Sequence, residues 1–318
     1  MDKILWQPVH PEKTQMAQFM ARVNERFDLN LKSYDELYNW SVHHIPSFWE
    51  QVWDFCEIKH SVPFSAVVDN VQQMPGAKWF TGAKLNYAEN LLKYRDDQPA
   101  IHFKGEGQQV RTLTYKELYS EVERMAHALR EIGVRKGDRI AGFIPNMPEA
   151  VVAMLGAVSI GAIWSSSSPD FGTKGVLDRF SQIEPKIIFA ANGYYYNGKE
   201  FDSIKKLKGI LNDLPSVEKV VIVEYLDRKI DLSSIENSVL YHEFISKAPY
   251  PLEFEQLPFD HPLYVMYSSG TTGLPKSIVH SAGGTLIQHL KELRFHCDLS
   301  REDTIFYFTT CVWMKWNW

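Results

Sequence analysis

Arg139-Ile-Ala-Gly-Phe-Ile144, Pro145-Asn-Met-Pro148, a helical run over 149–160 and a short apolar stretch into Trp164 follow one another without a break. This order reads as strand, loop, helix, strand. The same unit recurs downstream as a strand at Lys186-Ile-Ile-Phe-Ala190, a helix near 201–211 and a strand at Lys219-Val-Val-Ile-Val223. Upstream, Thr114-Tyr-Lys-Glu117 has the spacing of a capping box. It opens a helix whose Leu118, Val122, Met125, Ala126, Leu129 and Ile132 form one apolar stripe ending at Gly133. Alternating helices and β-branched strands predict an α/β fold, a parallel sheet flanked by helices. In such folds ligands lie beyond the carboxyl ends of the strands, so chemistry is expected in the loops after Ile144, Trp164 and Tyr267.

The 318 residues are enough for two domains or one large one. Hydrophobic residues make up 45% and charged residues 23%, which excludes a disordered chain, a collagen-like fibre and a membrane bundle. The net charge of −5 argues against binding built on phosphates of nucleic acid. The longest apolar stretch, over 150–164, is shorter than the roughly 18–20 residues that cross a bilayer. Three cysteines (Cys56, Cys297, Cys311) are widely spaced with no C-x-x-C pair, so neither a disulfide framework nor a zinc finger is expected. His43, His44, His280, His289 and His296 lack metal-ligand spacing. No secretory signal opens the chain, and a cytoplasmic location is expected.

The first hundred residues are rich in tryptophan. Ser33-Tyr-Asp-Glu36 and Ser47-Phe-Trp-Glu50 have capping-box spacing and predict two short helices. Trp49, Val52, Trp53 and Cys56 fall on one face of the second, as a packing surface. The serine run over 165–168 reads equally as a polar site wall or a solvated loop.

Leu263-Tyr-Val-Met-Tyr267 is an apolar strand that runs into Ser268-Ser-Gly-Thr-Thr-Gly-Leu-Pro-Lys276. Those nine residues carry four hydroxyls, two glycines and a lysine. Glycines let backbone amides approach a ligand, hydroxyls donate to non-bridging oxygens, and lysine supplies a mobile positive charge. Together these are the parts of a polyphosphate cradle. Gly270 to Ser277 nearly fits the Walker pattern, but Pro275 stands in place of its second glycine. A Walker loop also runs into a helix, whereas Ser277-Ile-Val-His280 reads as a strand and the next helix is expected over 285–294. No G-x-G-x-x-G follows a strand, since Gly105-Glu-Gly107 lacks the third glycine.

Tyr267-Ser-Ser-Gly-Thr-Thr-Gly-Leu-Pro-Lys276 resembles the phosphate loop of the adenylate-forming acyl-CoA synthetase superfamily. Trp79-Phe-Thr-Gly-Ala-Lys-Leu-Asn-Tyr-Ala-Glu-Asn-Leu-Leu92, Gly161-Ala-Ile-Trp-Ser-Ser-Ser-Ser-Pro-Asp-Phe-Gly172, Val176-Leu-Asp-Arg-Phe-Ser-Gln-Ile183, Phe254-Glu-Gln-Leu-Pro258 and His280-Ser-Ala-Gly-Gly-Thr-Leu-Ile-Gln-His-Leu-Lys-Glu292 narrow it to the acetoacetyl-CoA synthetase family. The resemblance implies the N-terminal large domain of the adenylate-forming fold, truncated. Residues 1–98 would be the helical, Trp-rich N-terminal region and 99–318 an incomplete AMP-binding domain. In that family an acid attacks the α-phosphorus of MgATP, releasing pyrophosphate, and the coenzyme A thiolate then displaces AMP.

Carried over residue by residue, the resemblance implies that Ser268, Ser269, Gly270, Thr271, Thr272, Gly273 and Lys276 hold the β- and γ-phosphates, with Thr271 or Thr272 also touching Mg²⁺. Trp313 and Met314 would flank a short acid such as acetoacetate, with core packing an equal alternative for this Trp-rich segment. The family pattern Gly-Trp-Met-Met is here Val312-Trp-Met-Lys315, which alters that pocket. Phe80, Gly82 and Lys84 would lie on the coenzyme A side, or form a surface turn. The family's downstream Thr-Glu segment, ribose-binding aspartate, hinge and C-terminal lysine have no counterpart, so the chain is expected to be an N-terminal portion, inactive alone. Two other readings stand beside this one: a P-loop nucleotidase, and a silent binding module that self-associates through exposed aromatic surface at its end.

Overall fold

Seven strands build the central sheet: β1 (Arg139–Phe143), β2 (Ile163–Ser167), β3 (Ile187–Ala191), β4 (Lys219–Val223), β5 (Ser238–Leu240), β6 (Pro262–Ser268) and β7 (Lys276–Ser281). They lie side by side in the order β5-β4-β3-β1-β2-β6-β7. Every pairing from β5 through β6 is parallel; β7 alone runs antiparallel to its neighbour β6. The computed structural model describes residues 6–268 and 273–317.

The α/β expectation holds, and the alternation of side chains shows why. Ala141, Phe143, Ile188, Ala190, Val220 and Ile222 face one side, where they pack with Val176 and Phe180 of α3 (Thr173–Phe180) and Leu207 and Ile210 of α4 (Ile204–Asn212). Trp164, Phe189 and Tyr264 point to the opposite side, the Trp164 and Phe189 rings 6.4 Å apart. There Met154 of α2 (Pro148–Ser159) receives the Tyr264 hydroxyl on its sulfur at 3.9 Å. Strands buried on both faces explain runs that are apolar at nearly every position. The helix α1 (Tyr115–Glu131) begins in the expected capping box and packs so closely on α2 that a Cβ on Gly156 would stand 2.4 Å from Met125 Cγ.

The chain divides into two units, this sheet with its helices (85–257, 261–282, 307–317) and a second unit made of 6–84, 258–260 and 283–306. The second unit holds the helices Gln15–Phe27, Tyr34–His43 and Ile45–Phe55 and an aromatic core in which Phe19 meets Phe48, Phe55 and Phe295. Val52, Trp53 and Cys56 are buried as their spacing predicts. Among the described residues no helix is long and apolar enough to cross a membrane.

Local expectations fail in three places, and an open alternative closes in a fourth. The Ser33 capping box forms, but Ser47 caps nothing: Pro46 lets the helix start at Ile45, so Ser47 already lies inside it. Phe201 belongs not to a helix but to a hairpin of Gly193–Tyr196 with Lys199–Asp202, and α4 starts at Ile204. Asn197 and Gly198 turn that hairpin with φ of 52° and 74°, the backbone an Asn-Gly pair favours. The serine run is strand rather than solvated loop: Ser165, Ser166 and Ser167 complete β2 and all four serines are buried. The helix expected from residue 285 begins at Ala282.

Candidate functional site

β6 is a strand because Leu263, Tyr264, Val265 and Met266 are all buried, with Tyr264 opposite Trp164 of β2. It ends at Ser268, which pairs directly with Lys276, the first residue of β7; Tyr267 pairs with Ser277. β6 and β7 are therefore the two limbs of an antiparallel hairpin. A strand follows β6, not a helix, and this overturns the P-loop nucleotidase reading, which needs a helix N-terminus facing the phosphates. Ser269, Gly270, Thr271 and Thr272 lie outside the described residues. Of the rest, Ser268 is half-buried at the strand end and Lys276 is exposed. Gly273 has φ +126° with open space where a Cβ would be, a backbone state glycine adopts and other residues resist.

β1, β2 and β6 are adjacent, so their carboxyl ends lie side by side, although the chain after Trp164 is strand through Ser167 and not the loop expected there. After β1, Asn146 Oδ1 accepts from Trp316 Nε1 at 2.8 Å. In β2, Ser165 Oγ donates to Val265 O at 2.7 Å and Ser166 Oγ to Cys311 O at 2.5 Å. Ser167 Oγ is buried without a hydrogen-bond partner among the described residues, an unusual state for a hydroxyl. The segment 307–317 thus reaches the same rim of the sheet through Cys311 and Trp316. Within it Trp313 is 62% exposed and Met314 42%. Lys315 Nζ sits 5.1 Å from the centroid of the Tyr307 ring, so the cation that departs from the family pattern is turned onto an aromatic face.

In the other unit, Phe80 is buried against Trp53, Phe64 and Phe259, its ring 4.8 Å from that of Trp53. That ring is a packing group with no face open to a ligand. Gly82 takes φ +85° in the turn that follows, and Lys84 is exposed.

Sequence reasoning assigned no role to Tyr267, on the first limb of the hairpin, or to Arg179 and Gln182 beside it. Burial pushes the Tyr267 hydroxyl up to about 12, partly offset by a hydrogen bond with Ser165 and the charge of Arg179. Burial lowers the pKa of the Arg179 guanidinium, which lies over the Phe171 and Tyr267 rings. The i, i+3 spacing of Arg179 and Gln182 was legible, but not that it faces the hairpin. His280 in β7 has its pKa lowered by burial. Among the described residues no group of three or more His, Cys, Asp or Glu is placed to hold a metal.

The sheet order, the antiparallel hairpin after β6 and the glycine-bearing loop define an adenylate-forming fold, and the AMP-binding enzyme family matches residues 88–315. The chain belongs to that family. The family described as acetyl-coenzyme A synthetase N-terminus matches residues 34–91. An acetoacetyl-CoA synthetase of Danio rerio is 49% identical over 99% of this chain and 48% of its own length. A malonamoyl-CoA synthetase of Penicillium aethiopicum is 40% identical over 100% of this chain and 46% of its own. The solved structure of acetoacetyl-CoA synthetase from Streptomyces lividans superposes with a TM-score of 0.93 at 40% identity, covering 99% of this chain and 49% of that one. The chain spans about half the length of the curated relatives it matches.

Proposed function

We propose that this chain contributes the phosphate-binding part of an ATP-dependent acid–thiol ligase that converts acetoacetate to acetoacetyl-CoA. The carboxylate oxygen attacks the α-phosphorus of MgATP, the bond to the bridging oxygen breaks, and pyrophosphate leaves with the negative charge. The coenzyme A thiolate then attacks the acyl carbon and AMP departs. Lys276 and the hydroxyls of Ser268, Ser269, Thr271 and Thr272, with the amides at Gly270 and Gly273, neutralise the β- and γ-phosphates as the leaving group gathers charge. Mg²⁺ would enter with ATP, and Thr271 or Thr272 would supply a hydroxyl to it. Trp313 and Met314 flank the acid, and the turn at Gly82 with Lys84 serves the coenzyme A side. The three unbridged cysteines suit a reducing, cytoplasmic setting.

The observation that carries this reading is the hairpin itself, whose limbs pair Ser268 with Lys276 at the carboxyl end of a strand inside a mostly parallel sheet. The malonamoyl-CoA synthetase among the relatives favours a second reading, in which the same loop serves another short acid.

The test is acid-dependent pyrophosphate–ATP exchange by the full-length protein carrying this chain, with acetoacetate, malonamate and 3-hydroxybutyrate compared. Acetoacetate is expected to support the fastest exchange. Lys276→Ala should weaken MgATP about tenfold or more, the size of a lost charge-assisted hydrogen bond of about 1.5–3 kcal/mol. An unchanged KM for MgATP removes Lys276 from the phosphate site.

A further inference from the structure

Both limbs of the hairpin are tied to one short stretch of chain at the end of α3. On the first limb the Tyr267 hydroxyl donates to Arg179 O at 2.9 Å, while Arg179 Nη1 donates to Gly175 O at 2.6 Å. On the second limb Gln182 Nε2 donates to Pro275 O at 2.9 Å and Gln182 Oε1 accepts from Ser277 Oγ at 2.7 Å. The same Nε2 donates back to Asp178 O at 2.6 Å, which anchors the side chain to the last turn of α3 that precedes it. Two carbonyls on the nitrogen side and one hydroxyl on the oxygen side leave the amide a single consistent orientation.

These contacts matter because of where β7 lies. It is the edge strand, paired only with β6, and its residues 276–279 are exposed. An edge limb held by one ladder is the part of a sheet that opens most readily. Gln182 adds a lateral hold that the ladder does not supply, at the two residues either side of Lys276. A phosphate-binding cation displaced by about 1 Å loses much of its hold on the bound triphosphate, a loss read in the KM for MgATP.

We propose that Gln182 is a positioning residue, pinning the second limb so that Lys276 stands where the phosphates bind; this rests on the phosphate-loop reading given above. It acts through Pro275 and Ser277 and does not itself touch the nucleotide.

Two measurements test it on the full-length protein as unmutated, Gln182→Leu, Ser277→Ala and double variants. In hydrogen exchange without nucleotide, amides over 273–277 should exchange about tenfold faster in Gln182→Leu, with β1, β3 and α1 unchanged. In acid-dependent pyrophosphate–ATP exchange, the KM for MgATP should rise about tenfold while kcat and the KM for the acid stay within about twofold. Ser277→Ala should give a smaller effect, and the double variant should be no worse than Gln182→Leu, because the two share one contact. Unchanged exchange over 273–277, a faster-exchanging limb with an unchanged KM for MgATP, or a general fall in kcat with a lowered unfolding midpoint would each overturn the proposal. Absence of pyrophosphate exchange in the unmutated protein would instead remove the phosphate-loop reading, while the hydrogen-exchange comparison still judges the hold on the limb.

Discussion

Asn86 shows how much a single buried polar residue arranges. It is fully buried, and its Nδ2 donates to the carbonyls of Val158 (3.1 Å), Ser159 (3.0 Å) and Glu255 (2.9 Å). Val158 and Ser159 end α2, where carbonyls run out of i+4 helical partners; Gly161 N and Glu255 N reach them from the backbone, and the Asn86 amide adds a further donor to each. Its Oδ1 meanwhile accepts from Glu89 N and caps the helix Tyr87–Leu91. Asn86→Ala removes the helix cap and these buried side-chain bonds and should cost about 2–4 kcal/mol, read as a lowered urea midpoint. Asn86→Asp keeps the cap but cannot donate, and should also destabilise; a neutral Asp variant would show that water replaces the amide. Nothing in the sequence distinguishes Asn86 from a surface asparagine, because its acceptors lie about seventy and one hundred and seventy residues away. Gln182 was hidden for the same reason: its partners Pro275 and Ser277 are separated from it by more than ninety residues.

At the scale of elements, caps and turns were legible where the signal is local and unopposed. Thr114 accepts from Glu117 N while the Glu117 carboxylate accepts from Thr114 N, the reciprocal pair that the spacing predicts. Thr114→Ala should therefore destabilise by about 1 kcal/mol. Ser47 has the same spacing to Glu50 yet lies within a helix that Pro46 has already started, so Ser47→Ala should stay within about 0.5 kcal/mol of the parent. Equal losses for the two variants in chemical denaturation would show that the spacing alone sets the cap. The hairpin around Asn197-Gly198 had a local turn signal, but the apolar periodicity of Ile204, Leu207 and Ile210 just beyond drew the expected helix too far back.

For the molecule as a whole, the buried tyrosines predict an alkaline limit to stability. Burial pushes Tyr87 up from an ordinary 10.0 to about 12, partly offset by its hydrogen bond with Tyr264, and burial likewise raises Tyr264 well above the usual range. Tyr267 is also raised to about 12. A raised folded-state pKa means the unfolded chain releases these protons first. The stability they contribute is therefore complete below pH 10 and is lost as pH rises through about 12. Urea midpoints measured from pH 8 to 11.5 should fall above pH 10, and Tyr87→Phe should flatten that fall; an unaltered alkaline slope would exclude Tyr87 as a source. The sequence by itself determined the fold class, the strand that carries the hairpin and the residue types of the candidate phosphate loop, because periodicity and turn chemistry act over a few neighbouring positions. Only the tertiary structure decided that β1, β2 and β6 lie side by side, that the serine run is buried strand, and that α3 and the turn after it hold both limbs of the hairpin. Those facts come from packing between segments distant in the chain, and side-chain pattern along one segment does not encode which other segment will cover it.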